Sequence, residues 1–502
     1  VHVGDILDVK MVKKVVIVGG GTAGWIAAAA LSRQLGTLLD ITLIESDDIG
    51  TVGVGEASIP TMRNFHSLAG IDEAEFMKAS KATFKLGIKF ENWGNLNESY
   101  IHSFGTIGKT TWMAGFHHFW LHAVAEGYGG SLGEYCLEHQ AALAGKFSTS
   151  EKGHVNYAYH LDASLYAKYL RGLAAERSVR RVEGKVQQVK QNTTTGFIES
   201  VVLASGREIE GDLFIDCSGF QGLLIEKTLE TGYEDWSHWL ASDSAVAVQT
   251  KQVGSIPPYT RSIAHDAGWR WQIPLQTRVG NGLVYSSQYL SDDEAKRQLL
   301  ENVGTDLVNE PRVIKFTTGK RKKSWNKNCV ALGLSSGFLE PLESTSIHLI
   351  MIGVTRLMQI FPFDGVNDQL IDNFNAATDV ELARIRDFII LHYKATNRDD
   401  SEFWRHCKSQ SIPDSLRERL ELFKSTGHIN AVDGDIFRVD SWLQVMLGQG
   451  IKPQSYHHVA KMMQQGQLQN TLLQLKGSVE KAVGTMPTHQ EFINSYCRGS
   501  SA

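Results

Sequence analysis

The chain has 502 residues, 42% of them apolar and 21% charged, with 50 basic side chains against 55 acidic ones. That balance excludes a disordered chain, and a formal charge of −5 with a pI near 6.4 gives no footprint for nucleic-acid binding. Five scattered cysteines (Cys136, Cys217, Cys329, Cys407 and Cys497) form no CxxC pair, which fits a reducing compartment and argues against a zinc ribbon or a thiol redox site. No apolar run is long enough to cross a bilayer and no signal pattern opens the chain, so a cytoplasmic protein is expected, with no membrane partner and no metal. Residues 1–10 read as a leader or an appended segment and are set aside.

Val15-Val16-Ile17-Val18 is a β-branched run that reads as a buried parallel strand. A glycine turn follows, then an Ala- and Leu-rich helix from Ala23 to Leu35 and a second buried strand over Ile41–Ile44. Strand, helix and strand in so short a stretch predict a βαβ unit and a parallel sheet. Further strands are expected over 185–189, 197–203, 213–216, 269–274 and 282–289, with Cys329–Leu334 as another buried strand. Ser291-Asp292-Asp293-Glu294 predicts a capping box that starts a helix reaching Val303. From Ile347 onwards helical patterning dominates, as in Leu416–Phe423 after Pro413, and Pro362 and Gly365 mark a change near 355–365. The expected class is α/β (α+β overall), a Rossmann-like FAD-binding fold of the flavin monooxygenase type. Residues 11–355 form the FAD-binding module with an inserted antiparallel sheet, and 356–502 a mainly helical layer on the substrate side.

Gly19-Gly20-Gly21-Thr22-Ala23-Gly24 fits GxGxxG after a strand and at the opening of a helix. Gly19 makes the tight turn, Gly21 lets the backbone approach a pyrophosphate and Gly24 permits close helix–strand packing. Thr22 and Ala23 open the helix whose N-terminus faces the phosphates. Glu45 closes the second strand and is placed to accept from a ribose hydroxyl. Asp216-Cys217-Ser218-Gly219 resembles the D-x-[ST]-G segment with which many FAD enzymes approach the dinucleotide again, so Asp216 and Gly219 are cofactor candidates and FAD is favoured over NAD. Gly333 and Pro341 flank a later strand–loop–helix connection whose helix N-terminus would stabilise negative charge on a reduced flavin.

Trp269-Arg270-Trp271-Gln272-Ile273-Pro274 matches the WxWxIP signature of flavin-dependent halogenases, the group that includes the tryptophan halogenases. Gly53–Pro60, Thr83–Phe90, Gly337–Thr345, His392-Tyr393, Asn397–Ser401 and Phe403-Trp404 agree with it in order, so the resemblance covers roughly residues 12–450. It implies that reduced FAD, O2 and bromide or chloride give hypohalous acid, which travels to a separate pocket and halogenates an electron-rich, indole-type ring. It implies Lys85 as the catalytic lysine, holding the oxidant by an ammonium hydrogen bond or as a haloamine, and Glu343 as the second catalytic residue. It implies further that Gly55, Glu56 and Ala57 join the FAD site, and Thr345 and Ser346 the halide site, where the family commonly has Ser-Thr-Gly and this chain has serine at 346. The resemblance also implies that Trp269, Trp271, Ile273 and Pro274 stand beside the flavin and keep substrate away from it.

His102 and Phe104 resemble the family's His-x-Phe positions in the aromatic pocket, with Trp112 and Trp120 adding nearby aromatic surface. The stretch from Lys85 to His102 is shorter than in tryptophan-specific members, and Phe437–Gly450 does not match their cluster for the amino-acid backbone. The expected substrate is therefore an indole or similar ring without a strict amino-acid handle. A separate flavin reductase is expected, since no second nicotinamide site is evident. The residues alone leave open a flavin-dependent aromatic hydroxylase or a non-catalytic flavin-binding protein. Lys320-Arg321-Lys322-Lys323 reads as a solvated strand end, and His117-His118 and His457-His458 as satisfied or exposed histidines.

Overall fold

The computed structural model describes residues 11–49, 55–149, 155–304 and 306–498. Residues 1–10 and the Gly53-Val54 start of one matching segment lie outside them.

The expected βαβ unit opens the fold: Lys14–Val18 pairs in parallel with Asp40–Glu45 on one side and with Leu213–Asp216 on the other. A six-stranded sheet results, in the order 325–326, 329–331, 213–216, 14–18, 40–45, 180–183, parallel except for its first strand. The helix Thr22–Leu35 is covered by the helices Ala163–Glu176 and Ser346–Gln359. That crowding explains its Ala27–Ala30 run, fully buried on every side, because small side chains let helices approach closely.

A seven-stranded sheet carries the WxWxIP strand at its centre: 312–315, 244–251, 278–285, 268–274, 260–265, 87–91, 99–103. Trp269 and Trp271 both point to its buried face, as period-2 alternation requires. Its neighbour was expected over 282–289 but runs Arg278–Tyr285, and Ser286–Leu290 form a turn instead. Cys329–Leu334 is likewise a strand only to Ala331, after which Gly333–Ser335 is a 3-10 turn. A small sheet of Gly55–Ala57, Ala158–Asp162 and Thr83–Lys85 lies between these layers and carries the lysine.

Past Gly337–Phe338 the described chain has no further strand. Its helices and the segments joining them complete both large cores: Phe388, Trp404, Phe437 and Trp442 pack with Trp269 and Trp271, while Val483, Met486 and Ile493 join the core around the first βαβ unit. The helix predicted after Ser291 spans Asp292–Val303, and Ser291 Oγ accepts from Glu294 N at 3.3 Å. Glu294 does not complete the box, since its carboxylate binds Arg297.

The basic run at 320–323 is corrected by the structure. Lys320 and Arg321 are buried, not solvated: Lys320 pairs with Asp379 at 2.7 Å and Glu234 at 3.3 Å, and Arg321 with Glu226 at 2.8 Å. Only Lys322 and Lys323 are exposed. His117 and His118 are buried and satisfied, by the Gly427 carbonyl and the His457 amide. No described helix is long and apolar enough to cross a membrane.

Candidate active site

A cavity of about 750 Å³ runs from the glycine loop to the tryptophan strand. Gly19, Gly21, Thr22, Ala23 and Glu45 line it, together with Gly55, Glu56, Ala57 and Gly219. Trp269, Trp271, Ile273, Gly333, Pro341, Ser344 and Ser346 line it as well. The residues fit a dinucleotide. A Cβ on Gly21 would meet no protein atom within 4 Å, nor would one on Gly219, so both glycines leave space that a ligand can enter. Gly19 is different. Its φ is +116° and a Cβ would overlap the Cys217 carbonyl, so it is needed for the turn itself. Gly20, which the motif leaves free, is also required, because a Cβ there would strike the Glu45 carboxylate.

Glu45 accepts from Trp25 Nε1 at 3.2 Å and pairs with Arg181 at 2.5 Å, which fixes it at the strand end. Asp216 and Gly24 do not reach the cavity. The Asp216 carboxylate is fully buried and bound by the amides of Ser218, Leu224 and Ile225 at 2.7–2.9 Å, so it shapes the loop that presents Gly219. Pro274 also stands back, its carbonyl accepting from Thr83 Oγ1 at 2.7 Å. Glu56 is half-buried, and burial pushes its carboxyl up to about 7.

Lys85 is fully buried on its short strand, unlike exposed Lys81 and half-buried Lys89. Its Nζ donates to the Ser58 carbonyl at 3.0 Å and to Ser344 Oγ at 2.7 Å, and stands 5.2 Å from the Phe104 ring centroid. Burial lowers its pKa to about 7, against the pull of Glu343. Ser344 both lines the cavity and holds Lys85, so it joins the two sites. It lies outside the following helix: it is left-handed, with φ of 60°, between the 3-10 turn Pro341–Glu343 and the helix that starts at Ser346. Thr345 precedes that helix with its Oγ1 buried and without a hydrogen-bond partner in the described structure.

Glu343 is almost completely buried. Burial pushes its carboxyl up, but the His102 and His392 imidazoles outweigh that and hold it at about 2. His102 Nδ1 lies 2.9 and 3.1 Å from the two oxygens, and His392 Nε2 lies 2.8 Å from Oε1 without the alignment of a regular hydrogen bond. Sequence reasoning quoted His392 without a role; only the fold brings it here. Behind His102 the rings of Phe388, Phe437 and Trp442 are packed together. Trp112 is not part of this surface: it is 94% exposed, and Trp120 belongs to a separate core with Phe116 and Tyr135.

Sequence reasoning also missed Glu340, although it lies inside the matching Gly337–Thr345 segment. It is fully buried and accepts from Trp269 Nε1 at 3.0 Å and from the Tyr393 hydroxyl, tying the tryptophan strand to the loop of Pro341. Burial raises its carboxyl to about 7 despite those two donors. Glu340→Ala would strand two buried donors, each worth about 1–3 kcal/mol. Urea unfolding should therefore show a loss of roughly 2–6 kcal/mol, largely recovered in Glu340→Gln, whose amide oxygen still accepts. A loss below about 1 kcal/mol in the alanine variant would remove this anchoring role.

The depressed lysine gives a pH prediction. In the unfolded chain Lys85 keeps its proton up to its ordinary 10.5, whereas the folded protein releases it near 7. Between those values the unfolded state binds more protons, so stability rises with pH there. Relative to Lys85→Met, wild-type stability should be flat below pH 7 and climb by a few kcal/mol towards pH 10.5. Parallel denaturation curves at pH 6, 8 and 10 check it, and a constant difference would mean that the lysine titrates normally.

The glycine loop, the Asp216–Gly219 loop and the tryptophan strand over one cavity define an FAD-binding oxidoreductase, with a buried lysine held by Ser344 of the cavity wall and a buried carboxylate at the neighbouring Glu343. The tryptophan halogenase family model matches residues 14–465. The 7-chloro-L-tryptophan 6-halogenase KtzR of Kutzneria sp. (strain 744) is 36% identical, over 95% of this chain and 98% of its own length. The flavin-dependent halogenase Xcc4156 of Xanthomonas campestris superposes with a TM-score of 0.96 at 52% identity, covering 97% of this chain and 99% of that one. BrvH, a flavin-dependent halogenase of Brevundimonas sp. BAL3, gives 0.93 at 41% identity over 97% and 99%. The chain belongs to the tryptophan halogenase family and is a flavin-dependent halogenase with FAD as its cofactor. The hydroxylase and the non-catalytic flavin protein are not favoured.

Proposed function

We propose that this enzyme uses FADH2, O2 and bromide or chloride to form hypohalous acid and halogenates an indole-type ring at Lys85 and Glu343. The observation that carries the reading is Ser344: one residue lines the flavin cavity and binds Lys85 at 2.7 Å, so an oxidant leaving the flavin end is met by a buried ammonium. Bound FAD supplies the reduction of O2. The protein does the rest: Trp269, Trp271 and Ile273 would cover the flavin with apolar surface, and Gly21 and Gly219, beside the turn that Gly19 makes, would hold its phosphates. Lys85 orients the oxidant at one ring carbon, and Glu343 stabilises the positive charge that develops there. Thr345 Oγ1, buried and unsatisfied, and the amide of Ser346 at the helix start suit a halide.

The substrate we propose is an electron-rich ring without a strict amino-acid handle, since the Phe437–Gly448 stretch spends Phe437, Trp442 and Gln444 on internal packing and on Ser103. A separate reductase supplies the reduced flavin, and the cytoplasm is the proposed location. The change in secondary structure near 355–365 is our proposed module boundary. Mass spectrometry of indole and tryptophan, each incubated with enzyme, FAD, a flavin reductase, NADH, O2 and bromide or chloride, tests the reading. A halogen isotope pattern on indole supports it; strong tryptophan preference sinks the substrate proposal, and oxygenated product alone sinks the reaction.

A further inference from the structure

Glu340 and Tyr393 are buried behind Trp269, at 0% and 2% exposure, and halogenation as described above uses neither. One carboxylate oxygen, Oε2, accepts both from Trp269 Nε1 at 3.0 Å and from the Tyr393 hydroxyl, while Oε1 has no hydrogen-bond partner in the described structure. Trp269 and Trp271 line the cavity with ring centroids 6.0 Å apart. Trp93 stands 6.3 Å from Trp269 and 5.3 Å from Tyr393. Rings this close are in contact, and electrons pass between them far faster than bonds rearrange. An unbroken set of oxidisable side chains therefore leads from the cavity wall to one phenol with a base on its hydroxyl.

Two features decide where an oxidised chain comes to rest. Trp404, which also touches Trp93 at 5.6 Å, gives its N–H to the His265 carbonyl and lies under the Arg398 guanidinium at 4.8 Å. A carbonyl takes no proton, and a positive ring under a fixed cation in a dry site is repelled. At Tyr393 the balance is opposite. When an electron leaves, the phenolic proton crosses to Glu340 and a buried carboxylate becomes a neutral acid, which removes a desolvation cost instead of adding one. Trp269 shares that base, but a neutral phenoxyl is a weaker oxidant than an oxidised indole, and one carboxylate takes one proton.

We propose that Tyr393 is a redox-active tyrosine that donates an electron through Trp269 to a one-electron oxidant in the flavin cavity, with Glu340 taking its proton. Blue-light excitation of bound, oxidised FAD supplies such an oxidant on demand, and O2 reduction beside the flavin supplies others in turnover. Under light, FAD gains one electron from Trp269. The Tyr393 electron refills Trp269 as the phenolic O–H bond breaks, and the proton forms an O–H bond on Glu340. The products are FAD carrying one added electron, a neutral phenoxyl and a neutral acid; return of the electron restores all three. Tyr393 thereby draws oxidising equivalents away from the tryptophans that wall the cavity. Bound FAD is required for this; hypohalous acid is not.

Electron paramagnetic resonance of FAD-loaded enzyme frozen under blue light tests the assignment. Spectra are taken at pH 8, above the value of about 7 to which burial raises Glu340; Tyr393 and Cys407 are the titratable groups that feel its charge. A neutral tyrosyl signal is expected that narrows with ring-deuterated tyrosine and is lost in Tyr393→Phe. Glu340→Gln keeps an oxygen for both donors but is no base, so the radical should move to tryptophan and narrow with ring-deuterated tryptophan instead. No protein radical in wild type, a tryptophan radical there, or a tyrosyl of undiminished size in either variant would overturn the proposal. If Tyr393→Phe fails to fold, deuteration and Glu340→Gln decide it.

Discussion

Lys85→Ala is expected to cut halogenated product per reduced flavin consumed by about 100-fold or more, the scale on which a positioned group in a dry site contributes. The side chain has no exposure, and two fixed acceptors, the Ser58 carbonyl and Ser344 Oγ, hold its nitrogen in place. An oxidant arriving past Ser344 would meet nothing in the variant that could hold it at one carbon. Lys85→Arg should not rescue, because a planar guanidinium cannot take the place of a compact ammonium in a packed site. The strand itself should survive, since Lys85 pairs with Ala158 through its backbone. Mass spectrometry of the aromatic products with bromide, beside oxidation of the reduced flavin, measures the ratio. Product within tenfold of wild type would show that the lysine does not hold the oxidant.

Two alanines in the glycine loop should fail in opposite ways. Gly21→Ala is expected to leave the apo protein's melting nearly unchanged, because its backbone is extended at φ −73° and a Cβ would meet no protein atom within 4 Å. That empty space is where the motif lets a pyrophosphate approach, so FAD affinity should drop about tenfold or more, or at least 1.4 kcal/mol. Gly24→Ala should instead destabilise the fold by about 1–3 kcal/mol, as overpacking does, because a Cβ there would overlap the Gly19 carbonyl. Thermal melts without FAD and titration of FAD into each variant separate the two effects. If Gly21→Ala bound FAD as wild type does, the loop would not be the phosphate cradle.

The sequence by itself determined what depends on neighbours along the chain. A β-branched run, three glycines and an alanine stretch dictate strand, turn and helix, and alternation puts Trp269 and Trp271 on one face of one strand. These are local preferences of backbone and side chain, and they survived with boundary shifts of a few residues. The short matching segments identified Lys85 and Glu343 as residues of interest, but not their surroundings. Only the tertiary structure decided that Lys85 is buried, because its cover comes from Ser58, Phe104 and Ser344. It alone set Glu343 between His102 and His392 and anchored Trp269 on Glu340. The misread basic run has the same origin: Lys320 and Arg321 look solvated in sequence, and are buried because Glu226, Glu234 and Asp379 arrive from other elements to neutralise them. A buried charge is stable only beside a partner, and a partner distant in the chain leaves no mark on the residues around the charge.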